Sequence, residues 1–256
     1  MKTQQLASEL NSFFDRIFVI SVAETEERNQ SLNDRLGGLQ FEKFKGVDGR
    51  KIFQHASHPM QFPKEYFKDF SVDRERFIHL SGGQLGCSLS HQGIYKKVIN
   101  ERIETTLVLE DDVALDIDCR KVGTFKKSIS SLPDNWDVLY LGYEQIVKNQ
   151  NSSILRPIVK LYHHLKRNKV YNLPFGECPA EFYPKKTNTL LQGGVFFGTW
   201  AYAISLQGAE KLLAKTIPLT YLADELLMEG SYYKWLNAYA LKTPILNPSG
   251  IYPSST

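Results

Sequence analysis

Apolar runs alternate with segments of helical spacing along most of the chain. Five short runs are rich in β-branched and aromatic residues and end at charged or turn-forming positions, which is typical of buried strands. The predicted strands cover 17–22, 41–44, 105–109, 136–142 and 195–204. The predicted helices cover 6–14, 24–36, 82–100, 121–129, 205–215 and 224–235. This alternation predicts an α/β fold whose Rossmann-like, mostly parallel central sheet is flanked by helices.

Local signals mark the ends of three helices. Ser81 and Gln84 have the spacing of a capping box at the start of the helix over 82–100. Gly37 and Gly38 follow the helix over 24–36 as a stop signal, and Ser205 is a suitable N-cap for the next helix.

One long segment, about 143–192, shows neither the apolar runs of strands nor the helical spacing of apolar residues. It contains several Asn and Pro residues and a basic run over 160–169. Long connections without regular structure are usually either functional or mobile. We predict an irregular insertion that orders when ligands bind, and a merely solvated loop stays open as the alternative.

Three consecutive carboxylates, Glu110, Asp111 and Asp112, follow the predicted strand at 105–109. In open α/β sheets, ligands bind at the carboxyl ends of strands. Adjacent carboxylates repel one another unless a cation or hydrogen-bond donors compensate them, and oxygen ligands suit hard cations such as Mg²⁺ or Mn²⁺. On the triplet alone, a metal site and a solvated acidic turn are both open.

Composition narrows the class of protein. The 256 residues show no repeat and no linker, which predicts a single domain over 1–256. The 3 cysteines have no metal-like spacing, which argues against a zinc site or a disulfide framework and favours a reducing, cytoplasmic setting. No glycine-rich phosphate loop follows the first strand, and residues 1–14 resemble neither a signal peptide nor a membrane span. A net charge of +3 does not indicate nucleic acid.

Six motifs recur in one order and together resemble glycosyltransferase family 25, the bacterial lipooligosaccharide galactosyltransferases and related collagen galactosyltransferases. The motifs lie at 20–22 with Arg28 downstream, 47–49, 85–91, 109–113, 136–142 and 198–205. The resemblance implies a GT-A type fold, a UDP-sugar donor, a divalent metal (Mn²⁺ or Mg²⁺) and inversion at the anomeric carbon. The chain departs from the family pattern at Gln84 and Asn29, where members often carry Glu and a second Arg.

The resemblance also implies roles for particular residues. Asp112 is the first expected metal ligand and Glu110 the second, with Asp111 completing the site through the ribose, a water or the metal. The residues expected to bind the donor are Ser21, Arg28, Asp48, Gly49, His91, Glu110, Asp111, Gly198 and Thr199.

Several of these assignments have structural alternatives. His91 lies on a largely apolar helix face, so it is either a buried structural histidine or a contact to the nucleotide. Arg28 either pairs with Glu24 on a solvated helix or contacts the phosphates. Asp48 and Gly49 form a turn signal by themselves, and Asp137, inside an apolar strand, is expected to be a buried hydrogen-bonding residue.

Inverting transfer needs a base that takes the proton of the acceptor hydroxyl. The cluster over 110–112 is expected on the metal side of the sugar, which leaves Asp224 and Glu225 at the start of the last helix. The resemblance to the family's Pro-x-Asp segment favours Asp224 over Glu225. The alternative is that Asp224 acts only as an N-cap.

The resemblance therefore implies transfer of a hexose, galactose in β-1,4 linkage first, from a UDP-sugar to a saccharide acceptor of lipooligosaccharide. UDP-glucose or UDP-N-acetylhexosamine donors, a metal-dependent nucleotidyltransferase and a non-catalytic carbohydrate- or nucleotide-binding module are the alternatives. The expected location is the cytoplasm, with peripheral contact at the inner face of the inner membrane as one option and no nucleic-acid partner.

Overall fold

The computed structural model describes residues 2–22, 25–54, 81–115, 123–145, 184–217, 219 and 221–250. In these ranges the helices are α1 (Lys2–Phe13), α2 (Glu26–Leu36), α3 (Gly49–Gln54), α4 (Gly82–Glu101), α5 (Thr124–Ile129), α6 (Leu206–Lys215) and α7 (Ala223–Tyr232). The strands are β1 (Arg16–Ser21), β2 (Glu42–Lys45), β3 (Thr105–Glu110), β4 (Val113–Leu115), β5 (Val138–Gln145), β6 (Lys185–Lys186), β7 (Leu190–Gln192), β8 (Phe196–Ser205), β9 (Ala238–Leu241) and β10 (Leu246–Pro248).

The central sheet of the described ranges has eight strands in the order β2-β1-β3-β8-β5-β9-β7-β6. Parallel pairs join β1 to β2, β1 to β3, and β5 to β9, whereas β8 runs antiparallel to both β3 and β5. β7 likewise runs antiparallel to both β9 and β6. All strands except β8 and β7 therefore share one direction, which confirms the predicted α/β fold with a mostly parallel sheet.

Both faces of the sheet are covered, which explains why its strands are apolar along their length. Ile17 and Val19 of β1 belong to a core that includes residues of α1 and α2. Phe18 and Ile20 point the other way, into a second core with residues of α4, α6 and α7. Burying one such side chain fully stabilises the fold by roughly 1.5–3 kcal/mol.

The predicted helix caps at Ser81 and Ser205 are confirmed. The Ser81 hydroxyl accepts the N–H of Gln84 at 3.2 Å, and the Gln84 side chain accepts the N–H of Ser81 at 2.9 Å. The Ser205 hydroxyl accepts the N–H of Gly208 at 3.0 Å. All three bonds satisfy backbone donors that have no partner inside the helix. No helix in the described part of the chain is long and apolar enough to cross a bilayer.

Two parts of the predicted organisation are corrected. The chain turns at 111–112, and β4 pairs with β10 in a separate two-stranded sheet. Parts of the predicted irregular segment are regular, because 143–145 end β5 and β6 and β7 lie at 185–186 and 190–192. These strands are too short for a periodic signal, although Leu190 and Leu191 are buried. Residues 146–183 of that segment, with the basic run at 160–169, lie outside the described residues. So does most of the predicted connection at 53–79.

Gly198 gives β8 its path past Trp200. Its φ is +100°, and a Cβ built on it would lie 1.8 Å from the ring of Trp200. Gly193 has a comparable φ of +61°, but nothing lies within 4 Å of its Cβ position. Both glycines therefore have a positive φ, but only at Gly198 is the space for a side chain occupied.

We expect Gly193→Ala to lower the free energy of unfolding by roughly 1–2 kcal/mol, the cost of a side chain in the left-handed region. Gly198→Ala should lower it by a further 1–3 kcal/mol or so, because the added methyl group also overpacks the ring of Trp200. Urea unfolding of both variants measures the difference. Equal losses would show that Trp200 moves aside without cost.

Candidate functional site

The predicted acidic cluster lies at the carboxyl end of β3. Glu110 is the last residue of that strand, and Asp111 and Asp112 form the turn that follows. Because β1 runs parallel to β3, Ser21 at the end of β1 reaches the same edge. Because β8 runs antiparallel to β3, its first half reaches this edge too, and Thr199 lies there. Three strands thus deliver side chains to one place.

Hydrogen-bond donors compensate two of the three carboxylates. The Ser21 hydroxyl donates to Asp111 Oδ2 at 2.6 Å, and the Thr199 hydroxyl donates to Glu110 Oε1 at 2.6 Å. Arg35 of α2 donates to the backbone carbonyls of Asp111, at 2.8 Å, and of Val113. By contrast, Asp112 Oδ1 is buried, and no described residue donates a hydrogen bond to it.

His91 of α4 lies beneath the cluster, with 1% of its side chain exposed. Its Nδ1 is 2.7 Å from the Tyr202 hydroxyl, which donates to the Tyr95 hydroxyl at 3.2 Å. Its Nε2 points to Glu110 Oε1 at 3.6 Å, beyond hydrogen-bond distance, and has no hydrogen-bond partner among the described residues. His91 is therefore a buried histidine, as one alternative predicted, yet its second nitrogen faces the site.

Asp224 and Glu225 occupy the first turn of α7, as predicted. The N-cap residue is Leu222, so the alternative in which Asp224 is the N-cap is wrong. Glu225 accepts the N–H of Leu222 at 3.2 Å, and Asp224 Oδ1 accepts the N–H of Glu225 at 2.8 Å. These bonds use orphan donors of the helix N-terminus, which favour ionised carboxylates.

Burial and neighbouring charges shift the pKa values of the acidic groups. Burial raises the pKa of Asp112 to about 6, and the charges of Glu110 and Asp111 add to this effect. Burial also raises the pKa of Asp224, with a smaller contribution from the charge of Glu110. Burial opposes the charge of Glu110 as well, but the His91 imidazole and the Thr199 hydroxyl outweigh it, so the pKa of Glu110 is lowered.

These observations fit a divalent cation. Asp112 has a buried oxygen without a donor, and its pKa is raised partly by neighbouring negative charge, which a cation would neutralise. The donor atoms of Asp112 and Glu110 are carboxylate oxygens, the ligands that Mn²⁺ and Mg²⁺ prefer. Asp112 and Glu110, the ligands expected from the family resemblance, would be the residues to hold such an ion, and this assignment stays a prediction.

Other predicted residues have different surroundings. Asp48 accepts hydrogen bonds from the backbone N–H and the guanidinium of Arg50, at 3.2 and 3.0 Å. Gly49 begins α3, and its Cβ would lie 1.9 Å from the carbonyl oxygen of Gly82, so this glycine allows α3 to pack on α4. Arg28 lies in α2, but its side chain is outside the described part.

Asp137 is fully buried, as predicted, and pairs with Lys211 at 2.6 Å. Three residues near the cluster were not among the site residues predicted from the sequence. Arg35 orients the acidic turn, Tyr202 contacts His91, and Cys87 precedes His91 by one helical turn. Only Cys87 could have been found from spacing, because residues four apart share a helix face.

A model of the family described as "Glycosyltransferase family 25 (LPS biosynthesis protein)" matches residues 14–227. The matched range includes the acidic turn, His91, Thr199, Asp224 and Glu225. The predicted resemblance to this family is thereby confirmed.

Two relatives illustrate the sequence similarity. Procollagen galactosyltransferase 2 of Homo sapiens is 27% identical over 251 residues, which cover 94% of this chain and 35% of that protein. "Probable inactive glycosyltransferase 25 family member 3" of Rattus norvegicus is 27% identical over 208 residues, which cover 78% of this chain and 30% of that protein. The chain thus spans about a third of the length of these relatives.

Among solved structures, mouse xyloside xylosyltransferase 1 in its apo form matches with a TM-score of 0.36 and 13% identity. The match covers 93% of this chain and 80% of that chain. A likeness of this size establishes neither a shared fold nor a shared activity.

We expect Asp112→Asn to raise the Tm of chelator-treated protein at about pH 7.5. The pKa of Asp112 is about 6 in the folded protein, above the value of 3.8 for a free carboxyl, so its ionisation destabilises the fold as pH rises through this window. The gain should shrink towards pH 4.5 or so, where the folded-state carboxyl is protonated. Thermal melts at both pH values measure it, with the exposed Asp134→Asn as control. An equal gain at both values would contradict the shifted pKa.

Proposed function

The chain belongs to glycosyltransferase family 25, and from that premise we propose that it transfers galactose from UDP-galactose to a saccharide acceptor of lipooligosaccharide. The observation that carries the proposal is the acidic turn at 110–112, where strand ends bring Ser21 and Thr199 to the same edge as the carboxylates. Ligand sites of α/β sheets lie at such edges.

The choice of sugar and acceptor follows the relatives and the family description. Relatives named procollagen galactosyltransferases support galactose. The family description "LPS biosynthesis protein" supports a lipooligosaccharide acceptor. UDP-glucose and UDP-N-acetylhexosamine are the competing donors, and a β-1,4 linkage is the first product we would look for.

In this proposal, Asp112 and Glu110 hold a divalent cation, Mn²⁺ first. When bound, the cation supplies positive charge that stabilises the departing diphosphate. Ser21 and Thr199 fix the carboxylates of Asp111 and Glu110 through hydrogen bonds of 2.6 Å, so that these groups are already oriented before the donor arrives. Such preorganisation lowers the cost of stabilising charge in the transition state.

Asp224 is proposed as the base that takes the proton of the acceptor hydroxyl. Burial raises its pKa, which makes the carboxylate a stronger proton acceptor than a solvated one. Its position in the first turn of α7 still favours the ionised form. Glu225, the second candidate, accepts the backbone N–H of Leu222 at 3.2 Å, which gives it a structural role of its own.

We further propose that the enzyme is cytoplasmic and meets its lipid-linked acceptor at the inner face of the inner membrane. The basic run at 160–169 would contact phosphates there, each Lys or Arg contributing about 1 kcal/mol.

Release of UDP from a panel of UDP-sugars in the presence of Mn²⁺ tests the proposed reaction. We expect UDP-galactose to give the fastest release with a lipooligosaccharide acceptor, and EDTA to stop it. Asp112→Asn should abolish release while the protein stays folded, because an amide is a poorer ligand for a hard cation. Binding of a UDP-sugar without release would favour the non-catalytic module, and full activity in EDTA would contradict the metal.

Asp224→Asn tests the base. We expect the variant to lose transfer by about 10²-fold or more, while its Tm and its affinity for the UDP-sugar stay close to wild type. Asp134→Asn is the matched control, since Asp134 is exposed and precedes β5 at the opposite edge of the sheet. Wild-type turnover in Asp224→Asn would exclude Asp224 and make Glu225 the next residue to test.

A further inference from the structure

We propose that Cys87, His91 and Glu110 form a binding site for a thiophilic divalent cation such as Zn²⁺, beside the hard-cation site at Asp112. The Sγ of Cys87, the imidazole nitrogen of His91 and a carboxylate oxygen of Glu110 all lie within 4.8 Å of one another. Thiolate, imidazole and carboxylate are the three ligand types that zinc uses in proteins.

The contact between His91 and Glu110 has the dimensions of a metal site. Nε2 and Oε1 are 3.6 Å apart, too far for a hydrogen bond. A nitrogen and an oxygen ligand of a tetrahedral zinc ion are separated by roughly 3.3–3.5 Å, given zinc–ligand distances of about 2.0–2.2 Å. The observed spacing is close to one edge of such a tetrahedron and needs only a small adjustment of either side chain.

His91 is prepared for metal binding by the residues behind it. A histidine that binds metal through Nε2 must carry its proton on Nδ1. With its hydroxyl proton directed to Tyr95, Tyr202 can accept that Nδ1–H through its oxygen, at 2.7 Å. In this tautomer Nε2 offers its lone pair beside Cys87 and Glu110, and this buried atom has no hydrogen-bond partner in the described structure. A cation between them would remove the cost of leaving this atom unpaired.

The ligand set also determines which cation binds. Soft thiolate ligands select zinc over Mn²⁺ and Mg²⁺, whereas Asp112 offers only oxygen. Binding converts the Cys87 thiol to a thiolate and releases its proton to solvent, so no oxidant or reductant is needed. The sequence argued against zinc because the cysteines have no metal-like spacing, but the fold supplies His91 and Glu110 as the partners of Cys87.

The site has a consequence for activity that rests on the proposed function. Glu110 belongs to both ligand sets, so a zinc ion held by Cys87 and His91 would withdraw Glu110 from the hard-cation site. Zn²⁺ is then expected to inhibit transfer in competition with Mn²⁺. The binding itself is independent of catalysis and is tested separately.

The test uses Co²⁺ as a spectroscopic substitute for Zn²⁺ in the full chain. Cys119→Ser and Cys178→Ser are combined so that Cys87 is the only thiol. We expect one Co²⁺ per chain, with a thiolate-to-cobalt charge-transfer band that Zn²⁺ abolishes. His91→Gln should weaken binding by more than about 10-fold, since even loss of a residue that only supports a ligand costs 10–100-fold. Asp112→Asn should retain the band.

Absence of the charge-transfer band from the single-thiol protein would overturn the site, and so would a band that His91→Gln leaves unchanged. The single-thiol protein keeps all three ligands, so this result does not depend on whether a ligand variant folds. Cys87→Ser, checked by its thermal melt, should lose high-affinity Zn²⁺ binding in calorimetry. Failure of UDP release would leave these readouts unaffected and would count only against the proposed reaction.

Discussion

Repulsion among carboxylates at the end of β3 is the constraint on which the site depends. Glu110, Asp111 and Asp112 follow one another directly, and Asp224 approaches them from α7. The protein compensates this charge with donors from separate elements, namely Ser21 from β1, Thr199 from β8 and Arg35 from α2. Asp112 keeps a buried oxygen without a donor. That remaining deficit of positive charge is the reason why we propose a cation at this turn.

The direction of β8 makes this compensation possible. A parallel strand between β3 and β5 would end at the acidic edge with Ser205, whereas the antiparallel strand brings Thr199 there and places Tyr202 under His91. The same strand thus supplies both Thr199, the donor to Glu110, and Tyr202, the partner of the buried imidazole of His91. Holding several carboxylates close together costs stability even with these donors. Active sites commonly retain such unfavourable groups because function requires them.

The sequence predicts β1, β2, β3, β5 and β8, the main helices and the acidic turn, because both faces of the sheet are covered and buried strands read as apolar runs. It does not reveal the direction of β8, since an apolar run looks the same in either orientation. Leu190 and Leu191 lie in a strand too short for a period. Arg35 is 76 residues from the carbonyl of Asp111 that it contacts, so no local pattern could identify it. Cys87 and His91 were visible on one helix face, but Glu110, which completes their cluster, comes from another element.

The position of Mn²⁺ in crystals grown with Mn²⁺ and UDP tests the central claim most directly. Anomalous diffraction at the manganese absorption edge locates the ion without reference to the protein atoms. The account predicts a single strong peak at the turn over 110–112, in contact with a carboxylate oxygen of Asp112, and the hydrogen bond from Ser21 to Asp111 retained. A peak away from this turn, with Asp112 not in contact with the ion, would contradict the account.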